Sequence, residues 1–306
     1  MSVKYYLENI PYEFWHDVCF FTNRLLKRRP SSAPFLSGDT YRRTADFLYD
    51  NTTLCSAEEI NSFKRNLQKK RPVVFVSSRL LKDFSSQILP HIHKSFILVT
   101  HQSDENITDD ALYTSIANDE HVYRWFAQNC MLRHEKLIPL PIGLEDLWRH
   151  NAGDICDFKK KSFINKNKKP KILYGFNIAT NAKDRVPCYL AMWRKPTTEL
   201  ISRTPNMHLY RKLLSSFMFV ASPSGNGLDC HRTWEAMYFG VIPIVPNNYM
   251  NNYFASLGLP IWCVSSWDEA TSLSETELAK KYSEIISASK TDALWLNWWT
   301  TRFYGD

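Results

Sequence analysis

Seven short apolar runs, each closed by polar residues or proline, recur along the chain: PVVFVSS (72–78), SFILVTH (95–101), KLIPLPIG (136–143), KILYGFN (171–177), FMFVAS (217–222), VIPIVP (241–246) and PIWCVSS (260–266). Their β-branched and aromatic content and their length describe short buried strands. Between them apolar residues recur three and four apart, the spacing of helices, over 78–89 (SRLLKDFSSQIL), 119–132 (DEHVYRWFAQNCML), 205–216 (PNMHLYRKLLSS) and 274–289 (SETELAKKYSEIISAS). Strand alternating with helix is the pattern of parallel sheets with crossover helices, so the fold class is α/β.

At 306 residues the chain is expected to divide into two domains. The stretch KKKSFINKNKKPK (159–171) interrupts the alternation and has little to bury, which puts the boundary there and the domains at 1–165 and 166–306. The aromatic segment DALWLNWWTTRFYG (292–305) is expected to be a docked helix that packs back on the first domain.

The net charge of +7 and a pI near 8.9 suit a partner carrying negative charge: a nucleotide, a nucleic acid or an anionic membrane surface. The excess sits in Lys27–Arg29, Lys69–Arg71 and the 159–171 stretch, not interleaved with aromatics along one face, so no nucleic-acid partner is expected. Seven scattered cysteines without a CxxC pair argue against a disulfide framework or structural zinc and for a reducing compartment, hence a cytoplasmic setting. No apolar leader opens the chain, and no window approaches the roughly 18 apolar residues of a bilayer span. Any membrane contact is therefore expected to be peripheral, through the lysine runs.

The densest constellation is SPSGNGLDCHRTWEAMYFGVIPIVP (222–246), a loop and helix between two of the strands. In an open parallel sheet, ligands sit at the carboxyl ends of strands, where the loop meets a helix N-terminus. Gly225, with Ser224 and Asn226 beside it, lets backbone amides approach a ligand; Asp229 is placed to cap the helix. Arg232 in the first turn presents a forked donor pair to phosphate, and Glu235 one turn on suits sugar hydroxyls. Asn177 and Arg185 follow the 171–177 strand and are expected to face the same cleft. Each residue alone has an ordinary structural role, but together they describe a nucleoside-diphosphate cradle.

This segment resembles the donor-binding segment of exostosin-like glycosyltransferases, in which a Pro/Gly loop leads to an Arg, an "EA" pair and a G-x-I-P-V strand. It is more distantly similar to the α1,3-fucosyltransferase motif, whose diphosphate-binding Lys falls at Arg232 when "EA" and Gly240 are aligned. The acidic ribose-binding residue of that motif falls at His231, a departure that leaves ribose binding to Glu235. Weaker similarity to exostosin-like proteins covers 37–42, 96–108, 125–130 and 138–150. The resemblance implies the GT-B architecture, two Rossmann-like domains facing across a cleft with the nucleotide sugar held mainly by the second. It also implies a transferase without a metal or other cofactor, and no Asp-x-Asp follows a strand to hold one. The expected partners are a nucleoside-diphosphate sugar and a glycan or polysaccharide acceptor, the latter possible in lipid-linked form.

Inverting transfer needs a base on the first domain for the acceptor hydroxyl. Asp104 is the first choice, with Glu105 and His101 beside it after the 95–101 strand; Glu145, Arg149 and His150 follow the 136–143 run on the same edge. Asp39 and Arg42 in SGDTYR join the acceptor side. Two alternatives stand beside a transferase: a catalytically idle carbohydrate-binding protein on the same fold, which the histidine at 231 favours, and a basic nucleic-acid-binding protein.

Overall fold

In the computed structural model, residues 3–50, 58, 61, 71–149, 155–159, 167–201 and 206–304 are described. His150 and the 165/166 boundary lie outside them, as do Lys69, Lys70 and most of the lysine-rich stretch.

Among the described residues ten strands form two five-stranded parallel sheets. The first contains β1 (Phe47–Tyr49), β2 (Val73–Ser77), β3 (Phe96–His101), β4 (Val122–Ala127) and β5 (Leu137–Pro139), in the spatial order β1-β2-β3-β4-β5. The second contains β6 (Lys169–Tyr174), β7 (Thr198–Leu200), β8 (Phe217–Ala221), β9 (Ile242–Pro246) and β10 (Trp262–Val264), in the order β10-β9-β8-β6-β7. Two parallel sheets flanked by helices and facing one cavity make an α/β fold.

The helix expected over 119–132 is instead strand β4. Val122, Trp125 and Phe126 fall at helical spacing, but β4 lies between β3 and β5 with both faces covered, so no alternation marks it as a strand. The three-residue strands β1 and β7 had no run of their own to announce them.

Strand order decides where the helices go. In the first sheet the order never reverses, and right-handed crossovers then put the described β2–β3 and β3–β4 connections on one face. That face packs Val74, Val76, Leu98 and Trp125 against Leu81, Phe84 and Ile88 of the β2–β3 connection and Ile116 of the β3–β4 helix. The other face, with Val73, Phe75, Ile97, Val99 and Phe126, shares one core with Met250, Phe254, Trp299 and Phe303 from the far end of the chain. The Phe303 ring of the Leu296–Phe303 helix meets Phe126 edge-on at 4.7 Å. In the second sheet the order reverses between β6 and β8, which opens a crevice at their carboxyl ends.

Three successive strand ends of the first sheet turn through left-handed residues: Gln102 (φ 63°) after β3, Asn129 (φ 53°) after β4 and Gly143 (φ 68°) after β5. A side chain at 143 would also stand 2.2 Å from the Leu36 carbonyl oxygen, so only glycine fits. For Gln102 the left-handed region is uncommon, and such residues gather at functional sites.

Candidate functional site

The carboxyl ends of both sheets face a cavity of about 1160 Å³, larger than most single-ligand pockets. Its two walls differ in chemistry.

The C-terminal wall is built where the strand order reverses. Arg185, in the first turn of the Ala182–Met192 helix after β6, donates from Nε to the Ser224 carbonyl (2.9 Å) and from Nη1 to the Asn177 carbonyl (2.7 Å). Arg232, in the first turn of the His231–Tyr238 helix after β8, donates from Nη2 to the Gly175 carbonyl (2.7 Å) and from Nε to the Tyr210 hydroxyl (3.2 Å). Both guanidinium carbons lie near the Phe176 ring, at 5.7 and 5.8 Å from its centroid. Neither arginine has a carboxylate within ion-pair distance among the described residues, so two fixed positive charges face the cavity without an ion-pair partner. The loop between them is tight: the Gly225 amide donates to the Gly227 carbonyl (3.0 Å), and Asn181 Nδ2 donates to the Gly225 carbonyl (3.0 Å).

The N-terminal wall is acidic and internally compensated. Asp39 Oδ1 takes Arg29 Nη2 (2.6 Å) and Gln102 Nε2 (2.9 Å), while the same amide reaches Asp146 Oδ2 (3.1 Å). Asp146 Oδ1 accepts the Asp39 backbone amide at 2.7 Å. Burial, and then the charge of Asp146, push the Asp39 carboxyl up to about 6; burial raises Asp146 as well. The second Asp39 oxygen is buried without a hydrogen-bond partner among the described residues. In front of this pair stand Glu145, Arg149 and, on the rim, the exposed Asp104 and Glu105.

Two groups stitch the walls together. Asp229 accepts the Ile142 amide (2.8 Å), the Cys230 amide (2.8 Å) and the Trp234 indole N–H (2.8 Å to Oδ2), and its own amide donates to Asn129 Oδ1 (2.9 Å). Burial pushes its carboxyl up to about 6. His231 Nδ1 donates to the Gly143 carbonyl (2.8 Å), and its Nε2 faces Glu145 Oε2 at 3.5 Å.

The cavity brings together eleven of the residues singled out from sequence: His101, Asp104, Glu105, Glu145, Arg149, Arg185, Gly225, Asn226, Asp229, His231 and Arg232. Several stand differently from expectation. Glu235 is buried at 5% exposure and pairs with Arg211 (3.1 Å), whose other side meets Asp157 (3.3 Å), so its carboxylate is turned away from the cavity. Asp229 does not cap the helix: the cap position is Cys230, and the aspartate joins the two halves instead. His101 has both ring nitrogens engaged, Nε2 donating to the Pro141 carbonyl (3.1 Å) and Nδ1 accepting the Gln102 amide (2.8 Å). Burial lowers its pKa to about 3, so it is neutral with no free lone pair and does not fit a base.

Asn177 spends its side chain capping the one-turn helix that follows, accepting the Ala179 amide at 3.1 Å, and Ser224 contributes its carbonyl. Asp39 sits behind the cavity surface, and Arg42 pairs with Asp50, which does line it. Sequence reasoning passed over Gln102, Asp146, Phe176 and Tyr210. Only position signals Gln102 and Phe176, both just past a strand end; Asp146 and Tyr210 are defined by partners 107 and 22 residues away. Among the described residues no three His, Cys, Asp or Glu side chains come together as a metal site.

No protein-family model matches the sequence, and no curated protein matches it. Among solved structures the chain is similar to AviGT4, a glycosyltransferase involved in avilamycin A biosynthesis, with 14% identity over 82% of this chain and 79% of that one and a TM-score of 0.34.

Proposed function

We propose that the chain is a glycosyltransferase that holds the diphosphate of a nucleoside-diphosphate sugar between Arg185 and Arg232 and passes the sugar to a hydroxyl of a glycan or polysaccharide acceptor. One observation carries this: two guanidiniums, aimed by backbone carbonyls and free of carboxylate partners among the described residues, meet where the strand order reverses. A departing diphosphate gathers negative charge in the transition state, and preorganised donors placed there stabilise it. Beside the first turn of a helix, two arginines supply that charge without a metal, and EDTA is expected to leave turnover unchanged. The likeness of 217–245 to exostosin-like donor segments supports the same assignment.

The acidic wall supplies the base. Glu145 is the carboxylate tied to the cradle, since it faces His231, the neighbour of Arg232. It takes the acceptor's proton as the hydroxyl oxygen attacks the anomeric carbon opposite the diphosphate, which inverts that centre. Asp104 on the rim is the second candidate. Glu145→Gln is expected to lower kcat by roughly 10²–10⁴-fold, with Asp104→Asn milder; the reverse ranking moves the role to Asp104.

The decisive test is a thermal-shift panel of UDP, GDP, CMP, ADP and dTDP. One diphosphate is expected to stabilise the chain, by about 2.7 kcal/mol at a hundredfold excess over Kd, and Arg185→Ala to cut that to about 0.4–1.4 kcal/mol at the same concentration. A flat panel would sink the assignment. A carbohydrate-binding protein without turnover is the second reading: Glu235 is turned inward onto Arg211, so its carboxylate is not offered to a ribose. Slow donor hydrolysis by the wild type would exclude it.

A further inference from the structure

The helix Val3–Leu25 carries an outward apolar stripe along its described side chains, from residue 14 onward. There the side chains half-covered by the rest of the molecule are His16, Asp17, Phe20 and Asn23, while every apolar one except Phe20 faces out. Phe14 is 62% exposed, Trp15 64%, Phe21 58% and Leu25 82%, with Val18 and Leu26 exposed beside them. Positions 14, 18, 21 and 25 follow the four-three-four spacing that aligns side chains on one stripe. The stripe runs into exposed Arg24, Lys27 and Arg28, none of which forms an ion pair with a carboxylate among the described residues. The only acidic residue in 14–28 is Asp17, half-buried and 3.6 Å from His16 Nδ1.

We infer that this helix and the basic residues at its end dock on a bilayer containing anionic lipid. Exposed Phe and Trp beside unpaired cations are what a membrane interface takes up: aromatic rings enter the headgroup boundary and arginines meet phosphate. A second copy of the chain would bring the same uncompensated cations toward each other. The next residue, Arg29, pairs with Asp39 (2.6 Å) and Asp50 (3.1 Å), so the docked helix is tied to the acidic wall of the cavity. Resting on the transferase reading, this would present that wall to an acceptor carried on lipid; the docking itself does not depend on it.

The test uses the full chain and sedimentation with vesicles of phosphatidylcholine and phosphatidylglycerol at three to one, against pure phosphatidylcholine. Binding is expected to the mixed vesicles, weakening as salt is raised. Arg24→Gln/Arg28→Gln should lower the partition coefficient about 25-fold, roughly fivefold per charge. Phe14→Ser/Phe21→Ser should lower it about tenfold or more by removing buried aromatic surface. All four positions are exposed, so melting temperature and nucleotide response should stay at wild-type values. Failure of the wild type to bind mixed vesicles at low salt overturns the inference, as does binding that neither double variant weakens. A dimer seen by light scattering that Phe14→Ser/Phe21→Ser dissolves, without vesicle binding, assigns the stripe to a second copy instead.

Discussion

The two sheets have the same strand number and the same parallel sense, yet they solve burial differently. The second reverses its order between β6 and β8, packs Ile172, Phe219 and Ile242 against Cys188, Met192 and Leu278 on one face, and packs Leu173, Val220 and Val241 against Tyr210 and Leu214 on the other. The first runs in one direction: residues of its β2–β3 and β3–β4 connections cover one face, while Leu36 and Tyr41 ahead of β1 share the covering of the other with Met250, Phe254, Trp299 and Phe303. Strand order, more than strand composition, thus determines which half is self-sufficient. The same reversal makes the crevice that gathers Arg185 and Arg232, while the unreversed sheet contributes a wall of mutually neutralised charges.

The strongest way to break this comparison is Phe303→Ala. Removing a fully buried ring from the borrowed face should destabilise by about 3–5 kcal/mol. Hydrogen exchange should show β2, β3 and β4 losing protection before β8 and β9. Loss confined to the second sheet would mean that the first is covered some other way.

Next is Glu235→Ala, which leaves Arg211 in the second half short of one carboxylate while it keeps Asp157. Breaking a buried pair of this kind costs about 3 kcal/mol, readable as a lower urea midpoint with an unchanged m-value. A nucleotide response that survives, once the loss of stability is offset, would separate this structural charge pair from the cradle.

The acidic wall yields a smaller effect that depends on pH. The folded-state pKa of Asp39 lies above its unfolded value, so its contribution to stability is fully present below about 4 and is lost as pH rises through about 6. Between pH 5 and 7.5 the wild-type melting temperature should therefore fall more steeply than that of Asp39→Asn. Parallel slopes would show that Asp39 is not the titrating group.

Smallest in stability is Arg185→Ala. Among the described residues its guanidinium meets two backbone carbonyls, the Cys230 thiol and the Phe176 ring, and no carboxylate, so the change should stay within about 1 kcal/mol while nucleotide binding falls by about tenfold to a hundredfold. Chemical denaturation and calorimetric titration with the preferred diphosphate read the two separately.

Sequence pattern made β6, β8, β9 and β10 of the second sheet legible because each is a compact apolar run with punctuation, and it located both arginines because each follows such a run. It failed at β4, where burial on both faces removes alternation and Val122, Trp125 and Phe126 imitate a helix. It also failed wherever a role is set by a distant partner. Glu235 looks like a site residue until Arg211, 24 positions earlier, takes its carboxylate, and Asp146 looks unremarked until Asp39 and Gln102 close on it. Periodicity reports which face is buried locally, and these pairings depend on how two sheets are set against each other.

The edge-on contact between Phe126 and Phe303 has a consequence for how the protein is made. On the ribosome β2, β3 and β4 emerge early, but the Phe303 ring that packs on their second face is translated 177 residues after Phe126. At the usual 5–20 residues per second that is roughly 9–35 s during which an apolar sheet face waits without its cover. The half synthesised first is completed last, so chaperone engagement should concentrate on nascent chains that carry 71–149 and lack 296–303.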